Sequence, residues 1–192
     1  MLKEISLHIL DIAENSVNAG ATRIEILVAE DLRKDELVIK IKDNGRGMDA
    51  ETVKAITDPF VTSRTTRKVG LGIPFLKMAA DACDGSFKIT SEVGKGTEIT
   101  ATFRRSHIDR MPLGDIKGTF LTLLIGYPHV NWCFRYRFND RVFEFDDKQV
   151  KSALDGIPLS DPQVLMYLKN SISEGIDKIT SQNKSSVFQE MK

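Results

Sequence analysis

Two cysteines, three histidines and a net charge of zero remove several functions before any motif is considered. Cys83 and Cys133 lie fifty positions apart, with neither the short spacing of a metal site nor the density of a disulfide scaffold. They read as buried free thiols in a reducing compartment. His8, His107 and His129 form no cluster, so a zinc centre has no support. Acidic and basic residues balance at 27 each, which removes the basic field that would favour duplex nucleic acid as a partner. No apolar run approaches the ~20 residues that cross a bilayer. The N-terminus, MLKEISLH, carries no apolar signal region. A cytoplasmic protein with no membrane partner is the expectation. Two phosphate-binding signatures are also missing. No GxxxxGK followed by Ser or Thr occurs, and no GxGxxG follows the first expected strand. A nucleotide, if bound, needs another architecture.

What is there starts with one helix. The chain has 192 residues, 41% of them hydrophobic, enough for one ordinary domain plus an appendage. In Leu7–Gly20, LHILDIAENSVNAG, the residues His8, Asp11, Asn15 and Asn18 recur at steps of three, four and three. Helical spacing puts them on one stripe. Ile5, Ile9, Ile12 and Ser16 form a neighbouring stripe suited to a core. A surface helix usually shows Lys and Glu to water. This one shows a carboxylate and two carboxamides, short groups that hydrogen-bond and hold metal ions. Asn is a mediocre helix former, so propensity does not account for it.

Two strands follow the Gly20 stop, alternating through Ile24, Ile26 and Val28 and through Leu37, Ile39 and Ile41. The second ends in Asp43-Asn44-Gly45-Arg46-Gly47-Met48. Such a segment is a turn by composition. A carboxylate at a strand end can also accept from an exocyclic amine, and glycines let backbone approach a flat ligand. Asp49 caps a short helix, DAETVKAITDPF. A hydroxyl-rich and basic stretch, VTSRTTRKVGLG, then runs into an apolar helix, IPFLKMAADACDG. A glycine turn that opens a helix offers backbone N–H groups and a favourable dipole to phosphate. A hairpin closes this part: Phe87 and Ile89 on one strand, Gly94-Lys95-Gly96 at the turn, and Ile99, Ala101 and Phe103 on the return.

Taken in order, these segments resemble the ATPase domain shared by DNA gyrase, heat-shock chaperones, sensor histidine kinases and MutL-type repair proteins, the GHKL or Bergerat fold. Residues 14–21, ENSVNAGA, resemble the N box, in wording close to the MutL form. Asp43–Met48 resembles the first glycine box, Asp58–Arg64 the phenylalanine box of histidine kinases, Gly70-Leu71-Gly72 the second glycine box, and Gly94–Thr97 the third. The resemblance covers residues 2–105 and implies ATP, ADP and Mg2+ as ligands. It implies that Asn15 holds magnesium through its side-chain oxygen. It implies that Asp43 takes the adenine amino group, that Gly45 and Gly47 leave room for the base, and that Thr97 supports Asp43. Ala19 and Met48 flank the same site, and Asn18 touches ribose or phosphate. Phe60, Thr62, Ser63, Arg64, Gly70, Leu71 and Gly72 belong to the lid and its hinge over the phosphates. Asp11 stands where hydrolytic members keep a glutamate base. Being one methylene shorter, it is open to three roles: activating water, activating an attacking hydroxyl or carboxylate, or helping to hold magnesium. The short lid, residues 61–69, favours the kinase-like branch over the repair branch.

The expected fold class is α+β. Residues 1–106 form a two-layer α/β sandwich, with a mixed, mostly antiparallel sheet and helices on one face. Residues 107–180 form a small α+β unit of unassigned role, packed on the ATPase part or on a partner, and 181–192 a flexible tail. In the second part, WCFRYRFNDRVFEFD reads as a hairpin turning at Asn139-Asp140, with its aromatics in a core. Thr119–Leu124 is an apolar helix or buried strand, and Pro162 opens a longer helix. No phospho-acceptor helix pair precedes the ATPase part, so a kinase of this kind would find its substrate on another protein. The functional expectation is a Mg-dependent ATP-binding protein that transfers phosphate to a partner or hydrolyses ATP slowly. The alternatives are a non-catalytic switch like an anti-sigma regulator and a MutL-like repair ATPase. A homodimer is compatible with each.

Overall fold

The computed structural model describes residues 3–57 and 72–181. In chain order the elements are α1 (Ile5–Asn18), β1 (Arg23–Asp31), β2 (Glu36–Asp43), α2 (Ala50–Thr57), α3 (Gly72–Asp81), β3 (Ser86–Glu92), β4 (Gly96–Arg104), α4 (Ile116–Gly126), β5 (Asn131–Phe138), β6 (Arg141–Asp146), α5 (Asp147–Ala153) and α6 (Pro162–Thr180). The strands form one sheet in the order β3-β4-β2-β1-β5-β6. Four pairings are antiparallel, and β1 with β5 is parallel. This is the mixed α+β sheet expected from the sequence.

The alternation of side chains explains why helices gather on one face. One rung of the sheet runs Ile89, Ile99, Ile41, Ile26, Phe134 and Phe145 across all its strands. The next rung runs Thr90, Glu98, Lys42, Glu25, Cys133 and Asp146, on the opposite face. The apolar face packs under α1, α3, α4 and α6 through Ile9, Ile12, Leu76, Phe120, Leu123 and Leu168, all buried. Phe120 stacks on Phe134 at 4.4 Å between ring centres and meets Phe145 edge-on at 5.7 Å. The other face carries ion pairs such as Lys40–Glu98 at 2.8 Å. Both cysteines are free and buried, as read from their spacing.

The strands of the second half extend the same sheet. β5 lies directly against β1, in register from Arg23↔Asn131 to Glu30↔Phe138. Its aromatics join the same core as Ile24 and Ile39. The linker after β4 does not lead away. It returns to α1, where Ile5 N–H donates to the Pro112 carbonyl at 3.0 Å and Ser6 N–H to that of Leu113 at 2.9 Å. A parallel pair needs a long crossover, so its partner is far away in sequence and leaves no local signal.

Several local readings hold. Asp49 caps α2 by accepting from Thr52 N–H at 2.7 Å. The apolar run after residue 115 is a helix, capped by Asp115 through Gly118 N–H at 2.8 Å. Asn139, with φ 52°, makes the hairpin turn between β5 and β6. Asp161 caps α6 through Gln163 N–H at 2.8 Å. Among the described residues no helix is long and apolar enough to cross a membrane. The predicted tail, from residue 182 on, lies outside the described residues.

Candidate functional site

The site is built where the end of α1 meets the ends of β2 and β4. Asp43 is the last residue of β2, opposite Thr97 on β4. It is 8% exposed, and three donors converge on it. Ser16 Oγ–H donates to Oδ2 at 2.7 Å. The N–H groups of Gly45 and Thr97 donate to Oδ1 at 2.8 and 3.3 Å. The carboxylate is therefore fixed in direction, with spare acceptor capacity on Oδ2.

The loop after β2 is tied on both sides. Arg46 N–H donates to the Ala19 carbonyl at 2.9 Å, at the end of α1. Met48 N–H donates to Ser91 Oγ at 2.9 Å, and Ser91 bonds the Thr97 hydroxyl at 2.9 Å. Gly47 has φ +64°, and a Cβ there would run into the Glu92 carbonyl. Only glycine lets the loop sit this close to the hairpin.

These elements line an open cleft. Asn15, Asn18, Ala19, Asp43, Gly47, Met48 and Thr97 line it. Its floor is Ile12, Ile56, Ile73 and Ile99, an apolar bed for a flat ring. Gly45 is not on the wall: it packs against Ala19 and supports Asp43 through its N–H. Gly72 opens α3 behind the wall, in contact with Asp11. Phe60, Thr62, Ser63, Arg64, Gly70 and Leu71 lie outside the described residues.

Two polar residues of α1 sit elsewhere than the stripe suggested. Ser16, read as core, is the donor to Asp43. A hydroxyl one turn after Ile12, on an otherwise apolar stripe, was the signal for a buried partner. His8, read as part of the wet stripe, is fully buried. The N-terminal end of α1 is covered by the linker after β4 and by the start of α3. Arg46 also lines the cleft, which the sequence reading did not single out.

Burial pushes the His8 imidazole below its ordinary pKa of 6.5, with the Gly72 backbone and Asp11 only partly opposing. The folded state then refuses a proton that the unfolded state accepts. Stability is expected to fall as pH drops through 6.5, by up to about 1.4 kcal/mol per pH unit from this group. Urea denaturation between pH 5 and 8 checks it. The His8→Leu variant should lose that part of the slope.

On α1, Asn15 Nδ2 donates to Asp11 Oδ2 at 3.4 Å. The Asn15 side-chain oxygen, Oδ1, makes no hydrogen bond among the described residues. Magnesium takes hard oxygen ligands, and beside substrate phosphates it needs only one or two from the protein. Among the described residues no group of three or more His, Cys, Asp or Glu side chains is placed to hold a metal alone. A single carbonyl oxygen on the cleft wall fits that mode of binding.

Residues 2–107 match the protein family described as Histidine kinase-, DNA gyrase B-, and HSP90-like ATPase. Among similar curated proteins are a putative sensor protein of Shewanella frigidimarina, 34% identical over 103 residues, and sporulation kinase D of Bacillus subtilis, 34% over 94. The signal transduction histidine-protein kinase AtoS of Escherichia coli is 33% identical over 101 residues. These matches cover 53%, 49% and 52% of this chain but only 16%, 18% and 16% of the relatives. Among solved structures, the Aquifex aeolicus MutL ATPase domain complexed with ADP is similar in fold, with a TM-score of 0.50 at 14% identity. That likeness covers 91% of this chain and 70% of the other. It therefore extends past residue 107 into the second half.

Proposed function

Because the chain belongs to the Histidine kinase-, DNA gyrase B-, and HSP90-like ATPase family, we propose that its cleft binds ATP with magnesium and passes the terminal phosphate to a partner protein, or slowly to water. The observation that carries this reading is Asp43, aimed by three donors into a cleft with an apolar floor. Its remaining acceptor capacity suits the exocyclic amine of adenine. Ile12, Ile56, Ile73 and Ile99 would take the faces and edge of the ring. Asn15, on the same wall, would hold magnesium through its carbonyl oxygen, and Asn18 would reach ribose or phosphate. Bound magnesium would neutralise phosphate charge.

The kinase names among the relatives support transfer to a protein, and the partner is expected to supply the accepting side chain. Incubation with labelled ATP and the products of neighbouring genes tests this. Label on a partner, or released phosphate, is the expected result; neither would end the enzyme claim. For the metal, Asn15→Ala is expected to bring ATP affinity in magnesium down to its metal-free level. That loss should be about 10-fold or more, with metal-free binding retained. Calorimetry with and without magnesium measures it.

One observation favours a second reading. Asp11 replaces the longer glutamate base of hydrolytic members and is engaged by Asn15. A chain without an effective base could serve as a nucleotide-dependent switch, whose partner affinity changes with ATP or ADP. A partner that binds equally well with either nucleotide and with none argues against it.

A further inference from the structure

We propose that Asp11 is a positioning residue: it latches the start of α3 and turns the Asn15 amide so that its oxygen faces the cleft. This rests on the magnesium-ATP reading of the same site. Asn15 lines the cleft, but Asp11 does not. Asp11 Oδ2 faces sideways, taking the Asn15 Nδ2 hydrogen bond at 3.4 Å. It also meets the first residue of α3. A Cβ on Gly72 would overlap Asp11 Oδ2 and lie 2.8 Å from its Cγ. The carboxylate is thus wedged between α1 and the bare backbone of α3. Near Asp11 and the Gly72 backbone lies His8, fully buried, with no hydrogen-bond partner for either ring nitrogen. Aspartate, histidine and glycine together fix where α3 begins relative to α1.

The consequence for Asn15 follows from amide chemistry. A carboxamide has a donor end and an acceptor end. With NH2 committed to Asp11, the carbonyl oxygen is the end left for the cleft. Turning the amide over would set its oxygen against the Asp11 carboxylate, acceptor against acceptor. A general base, by contrast, must present a lone pair to the reacting proton within hydrogen-bond reach. The shorter side chain also suits this place. A glutamate, one methylene longer, would drive its carboxylate into the Gly72 backbone or swing it out of reach of Asn15.

The test uses the full chain and reads the magnesium enhancement of ATP binding, the ratio of Kd without the metal to Kd with it, for wild type, Asp11→Asn, Asp11→Glu and Asp11→Ala. Asparagine at 11 can still accept from Asn15 at the same length, so Asp11→Asn should cost no more than about 5-fold of the enhancement. Asp11→Glu and Asp11→Ala should each cost about 10-fold or more. Alanine cannot collide with α3, so its result stands where the glutamate variant unfolds. An enhancement untouched by Asp11→Glu and Asp11→Ala overturns the proposal. So does Asp11→Asn with enhancement kept but turnover lost while Asp11→Glu retains turnover, the signature of a base. A wild-type chain whose ATP affinity ignores magnesium overturns this proposal and the magnesium part of the function together. One that binds no ATP at all removes the function itself.

Discussion

Asp43→Asn is expected to abolish useful ATP binding, lowering affinity by at least about 100-fold, while the chain stays folded. The hydrogen bonds around Asp43 decide both halves of that statement. Oδ1 accepts from two backbone N–H groups, and these cannot turn away. An asparagine must therefore keep its oxygen there. The opposite orientation sets an NH2 against two buried donors, at about 1–3 kcal/mol for each donor left unsatisfied. The amide NH2 then takes the place of Oδ2, where it meets two groups. Ser16 can rotate its hydroxyl and become an acceptor. The amino group of adenine cannot, so donor meets donor at the base. Far-UV circular dichroism and a thermal melt should show a folded variant, and calorimetry should show ATP affinity lost. The same geometry makes a second outcome specific. An NH2 in that place suits a purine with an oxygen at position 6, so residual binding should favour inosine triphosphate over ATP. Undiminished ATP affinity would mean that Asp43 does not read the base, and the cleft would need another ligand.

How much of this was legible beforehand depends on the range of the interaction. The β2 acid, the two carboxamides of α1 and the loop bearing Gly47 are each local signals, and the structure brings them together on one cleft. The strands were legible because isoleucine alternates with charge, and the register places that alternation on two faces. What escaped is non-local. Ser16 looked like a small core residue because its partner is 27 positions away, across a turn and two strands. His8 looked wet because its stripe is wet further along. Nothing in the α1 sequence says that residues near 112 fold back over its first turn. The β1–β5 pairing escaped for the same reason. β5 carries its own hairpin signal, so it looked self-sufficient, and a parallel partner more than a hundred residues earlier leaves no periodicity to read.

That pairing sets up the second large effect. A chain cut after residue 107 covers the whole segment that matches the family, yet it is expected not to fold. The cut strips β5 from β1 and leaves a long row of unpaired backbone groups in what was the middle of the sheet. It also removes Phe120, Trp132 and Phe134 from the core, and with them the cover over Ile5 and Ile9. Trp132 is wholly buried, and Trp132→Ala alone should cost about 3–5 kcal/mol. Domains of this kind hold only about 5–15 kcal/mol in total, so the combined loss exceeds what the remainder can supply. The chain itself provides the probe, because Trp132 is its single tryptophan and lies in the second half. In urea, Trp132 fluorescence and far-UV circular dichroism should change together in one transition. The shortened chain should show no cooperative transition at all. If fluorescence changed first and left most of the helical signal standing, the second half would be a separate unit after all. The sheet would then be two cooperative bodies joined at β1.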